Sequence, residues 1–320
     1  MVSPSINQPF VLRLSKETVG PSKSVAVKRS LSPLFLSLWC LIAVGGFLTA
    51  EALAEQVLQA KQGGVLYLTL KVEGTPSSVQ GWLRDRLVPF FKTGRAGEFG
   101  ALVGIDLADE PAVVELTADI VCPAGPRRRV FRVTVAAEDF PVQSMTLPPE
   151  QVDPGAAALQ RIALEREQVK AVLAAFTPTP ERLWTNGFIV PVEGTVTGAF
   201  GSRRVLNGRP RNQHTGEDIA APLGAPVRAT NDGIVKMVAD HFFSGTSVIL
   251  DHGLGLYTMY FHLDTATVKE GARVERGGLI GTVGQSGRAT GPHLHWGAWL
   301  NGARVNPFAL TTLPLGAPSS

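Results

Sequence analysis

From Leu183 onward the chain is a succession of short β-branched and aromatic runs cut by glycine: FIVPVEGTVTGAFG, APVRATNDGIVKMVAD, TSVILDHGLGLYTMYFHL, GARVERGGLIGTVGQSG and HLHWGAWLNG. Such runs, bounded by turn residues, are too short for helices and have the length of strands. Residues 185–311 are therefore expected to form a compact antiparallel β-sheet unit, followed by a disordered Pro/Ser tail at 312–320. The spacing HLH within it has a direct consequence, because residues two apart on a strand share a face. His293 and His295 face one way, and Leu294, Trp296, Ala298 and Leu300 the other, which is apolar enough to be a core.

A second β-rich region precedes it. Between Gly64 and about Leu147 the runs VLYLTLKV, ALVGIDL, AVVELTADIV and VFRVTVAA are separated by Gly, Pro and charged residues, the pattern of a small β-sandwich over 62–150. No histidine lies in it, so its expected role is placement or recognition. The run Arg127-Arg128-Arg129 reads as a solvated turn. Between the two β-rich regions the texture becomes helical: Leu159, Ile162, Ala163, Val169, Val172, Leu173 and Phe176 recur at helix spacing until Thr177-Pro178-Thr179-Pro180 stops them. Residues 154–184 are thus expected to be a linker helix region packed on one of its neighbours. The fold class expected overall is mainly β.

At the front, Arg13, Lys16, Lys23, Lys28 and Arg29 precede an apolar run from Leu31 to Leu48, and Ala52-Leu53-Ala54 has the small-x-small form of a signal-peptidase site. Residues 1–54 read as an export signal, or, if uncleaved, as a membrane tether. Either way the remainder is expected in the periplasm or cell envelope. This segment carries five of the 30 Lys+Arg and two of the 27 Asp+Glu, leaving 25 of each, so the basic character of the chain belongs to its first residues. No general basic surface remains for nucleic acid. Of the two cysteines, Cys40 lies in the apolar run, so Cys122 is alone in the remainder and is read as a small buried hydrophobe.

All six histidines, 214, 241, 252, 262, 293 and 295, fall within 82 residues of the last unit. Histidine is the commonest metal ligand and the usual acid or base at neutral pH, so the concentration indicates a metal or general-base site. His214 and Asp218 form an H-x3-D pair before a turn-rich stretch, with Gly216 between them to let both side chains reach one ion. With His293 and His295 added, the histidines and the carboxylate suit zinc with an open fourth position. His262 ends a strand of the hairpin that turns at His252-Gly253-Leu254-Gly255, and on that strand it is expected to share a face with Thr258 and Tyr260. His241 and His252 are read as structural.

His214-x3-Asp218, the hairpin ending in His262, and Gly291-Pro292-His293-Leu294-His295, in that order, resemble the lysostaphin/LytM-type zinc metalloendopeptidases of bacterial cell walls. GEDIAAPLGAPVRATNDGIV, VKEGARVERGGLIGTVGQSG and NGARVNP add to the likeness, which covers about residues 190–310. The β-rich region and helix before it resemble the accessory domain found ahead of the peptidase unit in some exported members. The resemblance implies that His214, Asp218 and His295 bind Zn2+ and that His262 and His293 are the non-ligand catalytic pair. It implies hydrolysis, through a metal-activated water, of peptide bonds in peptidoglycan stem peptides or cross-bridges. His293 would take the proton of the water while His262 hydrogen-bonds the developing oxyanion and helps protonate the leaving amine, roles that could be exchanged. Two rivals share sequence features with this reading: a non-catalytic wall-binding or hydrolase-activating protein of the same fold, and a lipoyl-type carrier suggested by VKEGARVERGGLIG. All five expected positions are filled, against the first; GTVGQSG has no modifiable lysine, against the second.

Overall fold

The computed structural model describes residues 57–174, 182–184 and 186–315. The expected export segment lies outside them, as do the Thr177–Pro180 stop and the last five residues of the tail. The described residues all fall in one compact unit.

The first β-rich stretch comprises β1 (Val57–Lys61), β2 (Val65–Lys71), β3 (Ser78–Leu83), β4 (Arg86–Lys92), β5 (Glu98–Gly104), β6 (Ala112–Cys122) and β7 (Gly125–Ala136). They form one seven-stranded sheet in the order β1-β7-β6-β3-β4-β5-β2. Leu68 and Leu70 of β2, Ala101 and Val103 of β5, Leu116 and Ala118 of β6 and Val133 of β7 share one buried core, so the sheet closes over itself as a two-layered, sandwich-like body. β3 and β4 carry weak strand signals because SVQGWL places Gly81 at an inward position and RLVPFFK is interrupted by Pro89. Arg127–Arg129 lie within β7 rather than in a turn, paired across to β6 with Arg128 opposite Asp119. Arg127 and Arg128 are exposed and Arg129 half-exposed near the end of a long hairpin, which accounts for their charge without any turn. Cys122 is buried in the core.

β8 (Val142–Met145), α1 (Pro149–Val152) and α2 (Ala156–Ala174) follow. No helix among the described residues is long and apolar enough to cross a membrane. Val169, Val172 and Leu173 of α2 pack on the cluster of Met237, Ile249, Tyr257 and Met259, so the helix lies against the second sheet. Leu159 and Leu164, by contrast, are more than half exposed.

The rest of the chain contains β9 (Thr195–Gly198), β10 (Arg203–Leu206), β11 (Arg209–Pro210), β12 (Gly216–Ala220), β13 (Pro226–Arg228), β14 (Gly233–His241), β15 (Gly245–Asp251), β16 (Leu256–Ala266), β17 (Arg273–Val274), β18 (Leu279–Val283), β19 (His293–Leu300) and β20 (Ala303–Val305), closed by α3 (Phe308–Thr311). Ten of these strands make one sheet whose central path is β17-β14-β15-β16-β19-β12-β9. Its pairs are antiparallel. One face buries Val248, Leu250, Tyr260, Leu263, Leu294 and Trp296, so the apolar face expected for HLHWGAWL is realised. β10 stands apart, pairing antiparallel with β11 and parallel with β8. The tail begins later than expected, since Leu315 is buried with Trp184, Phe188 and Leu310.

Candidate metal centre

His214 precedes β12, Asp218 lies at its middle, and His295 is its register partner on β19. His214 Nε2 stands 3.0 Å from Asp218 Oδ1 and 2.9 Å from His295 Nδ1, and the last is 2.9 Å from Asp218 Oδ1. Among the described residues these three form the group whose donor atoms could hold one ion. His214 Nδ1–H donates to the carbonyl of Ala199 at 3.0 Å, which leaves Nε2 as a lone pair aimed at the centre. A proton on His295 Nδ1 could serve only one of its two close neighbours, whereas a cation satisfies all three. Ligand atoms around a tetrahedral zinc stand ~3.3 Å apart, so a small outward adjustment of this triangle admits the ion.

Two glycines make room for it. A Cβ on Gly216 would sit 2.6 Å from both His295 Nε2 and the carbonyl of Trp296, and one on Gly198 would collide with the Asp218 carboxylate. Gly216 is thus needed for close approach of the ring across the strand pair, not to curl the backbone as its sequence position suggested. The second carboxylate oxygen, Oδ2, accepts from the Arg204 guanidinium at 2.6 Å, fixing the plane of the carboxylate and keeping Oδ1 for the centre. Burial alone would raise the pKa of Asp218, but the close approach of the His214 and His295 rings outweighs it and holds the carboxyl well below the usual range. Burial pulls His214 down to about 4, so it is neutral, the form that ligates.

The other two histidines stand beside the triangle. His293 Nε2 is 3.9 Å from Asp218 Oδ1, and its Nδ1–H donates to the carbonyl of Gly291 at 2.8 Å. The His262 ring centroid lies 4.7 Å from that of His293, and its Nδ1–H donates to the carbonyl of Ser286 at 2.9 Å. Both rings therefore present Nε2 as an acceptor. Burial, followed by the neighbouring rings of His293 and His295, lowers His262 to about 3. The strand alternation fails at this residue: His262 has φ 61°, a left-handed conformation unusual for a side-chain-bearing residue. That rotation takes its ring off the Thr258/Tyr260 face and onto the side of Phe261, whose ring stacks on His295 at 5.3 Å and 4°. The two remaining histidines serve structure. His252 donates from Nδ1 to the Asp232 carbonyl at 2.7 Å and accepts at Nε2 from Thr258, and His241 is buried at the end of β14.

A cavity of about 820 Å3 opens onto His214, His262 and His295. Its far wall is built by Val152, Pro154, Leu159, Ile162 and Arg166 of α1, α2 and their junction, so the expected linker also shapes the groove. Arg204, Arg211 and Arg288 line the same space and were not anticipated, although GSRRVLNGRPRNQH places four arginines in the nine residues from Arg203 to Arg211.

Residues 212–307 match the model of peptidase family M23. Over 93 residues the chain is 44% identical to the peptidoglycan DD-endopeptidase ShyA of Vibrio cholerae, a match covering 29% of this chain and 22% of that one. Over 97 residues it is 45% identical to the DD-carboxypeptidase/endopeptidase Mpg of Neisseria meningitidis, covering 30% and 22%. The chain thus spans about a fifth of the length of these curated relatives. A crystal structure of an M23 peptidase from Pseudomonas aeruginosa matches far more broadly, with 33% identity and a TM-score of 0.60 over 78% of this chain and 94% of that one. On that likeness, which covers most of both chains, the chain belongs to peptidase family M23.

Proposed function

We propose that this chain is a zinc-dependent endopeptidase that cuts peptide bonds in peptidoglycan stem peptides or cross-bridges, with His214, Asp218 and His295 as ligands and His262 and His293 as the catalytic pair. The observation that carries this reading is the convergence of three donor atoms within 3.0 Å of one another, beside two rings that offer free acceptor nitrogens. Relatives named for peptidoglycan endopeptidase activity support the substrate class. Such a substrate fits delivery of the chain to the cell envelope, with residues 62–150 as an accessory domain and 185–311 as the catalytic one.

Zinc, when bound, lowers the pKa of a coordinated water and polarises the scissile carbonyl. The chain supplies the rest. His293, whose Nε2 lies 3.9 Å from Asp218 Oδ1, would accept the proton of the attacking water. His262, held by Ser286, is neutral before reaction; once His293, whose ring lies 4.7 Å away between centroids, has handed the proton on to it, its Nε2–H can support the oxyanion and then pass to the leaving amine. Arg204 keeps the Asp218 carboxylate from rotating. The test is incubation of the purified chain with sacculi, with metal content measured in parallel and released muropeptides identified by mass spectrometry. Near-stoichiometric zinc with cleaved cross-links is expected; a metal-free chain or intact sacculi would refute the proposal.

A further inference from the structure

The groove beside the metal centre is lined by guanidinium groups and, among the described residues, by no Asp or Glu. Of these cations Arg166 is solvent-exposed, and two others are already matched. Arg204 is bound to Asp218, and Arg211 donates to Asp153 Oδ1 at 2.9 Å and to the carbonyl of Val152 at 3.1 Å. Arg288 is different. No carboxylate pairs with it among the described residues; it is held by stacking over the Phe243 ring at 4.2 Å and by a long contact of 3.5 Å to the carbonyl of Gln151. Its backbone is fixed as well, its N–H donating to the Phe243 carbonyl at 2.8 Å. The half-buried side chain borders both the main cavity, with His262 and His295, and a smaller one with His293 and Asp218. Burial, then repulsion from Arg204 and Arg211, pulls its pKa down to about 10, the opposite of what a salt bridge would do.

A partly desolvated cation among like charges is unfavourable unless an anion completes it, and a fixed guanidinium fork matches a carboxylate in two hydrogen bonds. We infer that Arg288, in the field of Arg204 and Arg211, is the specificity residue of a carboxylate-binding subsite, and that the preferred substrate is a peptide with a free carboxylate close to the scissile bond. This rests on the peptidase reading above and narrows it. A stem-peptide cross-link carries such groups, at a C-terminus or on a side chain, whereas a run of glycines inside a bridge carries none. The proposal therefore places stem cross-links ahead of glycine bridges.

The experiment compares four peptides with the zinc-loaded full chain: a cross-linked stem dimer with free carboxylates, the same dimer amidated at its C-terminus, the dimer amidated on its side-chain carboxylate, and a pentaglycine bridge. Amidation at one of the two places is expected to raise KM about tenfold or more with little change in kcat, identifying the carboxylate that is read. In Arg288→Gln the KM ratio between that amide and the free dimer should shrink to within about twofold, and Arg288→Lys should retain an intermediate ratio because it keeps the charge without the fork. The wild-type ratio should also fall with added salt, a readout that does not depend on any variant folding. Equal KM for all dimers, preference for pentaglycine, or full discrimination in Arg288→Gln would overturn the subsite. If no peptide is cut, the peptidase reading fails; calorimetric affinities of the free and amidated dimers then decide the carboxylate preference separately, equality refuting it.

Discussion

Asp218 and His295 are direct register partners across β12 and β19, and Oδ1 of the one lies 2.9 Å from Nδ1 of the other. Two donors of the centre are therefore held by the hydrogen-bond ladder of a sheet rather than by loops. A centre built this way is largely pre-organised, since the backbone that carries it is fixed by folding.

Ligands and proton carriers should separate cleanly on substitution. His293→Ala is expected to keep about one zinc per chain while losing roughly 100- to 10,000-fold in kcat. His295→Ala should lose both metal and turnover. Atomic absorption on the dialysed variants checks this, and full zinc occupancy in His295→Ala would remove it from the ligand set.

Arg204 acts through the carboxylate it grips. Arg204→Gln should weaken zinc affinity by about 10- to 100-fold, the usual effect of losing a group that orients a ligand. Competition with a chelator measures the affinity, and kcat at saturating zinc should fall much less. An unchanged affinity would show that Asp218 needs no such support.

Gly216→Ala puts a methyl group 2.6 Å from His295 Nε2 and from a backbone carbonyl that cannot easily give way. Overpacking of this kind costs about 1–3 kcal/mol, and here it should also displace a ligand. Lower denaturation midpoint and lower zinc occupancy are expected together. A variant with wild-type values for both would mean that the strands can spread.

The left-handed backbone of His262 makes a prediction about stability apart from chemistry. His262→Gly and His262→Ala should both lose turnover, yet the glycine variant should be the more stable by about 1 kcal/mol, because only glycine adopts φ 61° without steric strain. Denaturant titration of the two metal-free proteins separates them.

His252 supplies a pH dependence away from the metal. It is fully buried, and that burial lowers its pKa to about 4 from an ordinary 6.5. Thr230 N–H donates to Tyr260, Tyr260 to Thr258, and Thr258 to the lone pair of His252, a chain that a proton on Nε2 would break. Since the folded pKa is depressed, the unfolded state binds the extra proton between about pH 6.5 and 4. The stabilisation is complete above 6.5 and is lost as pH falls through that window, by about 3 kcal/mol in all. Unfolding free energies measured from pH 7.5 to 4 should show a shallower fall in His252→Gln than in the wild type. Parallel curves would exclude the assignment.

Much of the site was legible because period-two alternation is a local property. HLHWGAWL places its histidines on one face wherever the strand sits in the sheet, and H-x3-D runs from just before β12 to its middle, so its members stay together. What escaped were features set by distant chain. Arg288 joins Arg204 and Arg211 only through the fold, and His262 turns to the face of Phe261 because of one backbone angle that no propensity announces. The helix was readable from its apolar spacing, but not its place along the groove, which depends on Val169, Val172 and Leu173 finding Met237 and Met259. In the first sheet, β3 and β4 were masked by Gly81 and Pro89, whose weak strand preference is overridden by pairing with neighbours.

The parallel pairing of β8 with β10 means that the polypeptide upstream of the histidine-bearing sheet is woven into the support of Arg204, and through it of Asp218. A proteolytic nick or gene truncation that stripped away residues before Arg203 would leave β10 with an open rim close to His214 and Asp218. Such a rim invites foreign strands, so the shortened chain would be prone to clump beside its candidate metal centre.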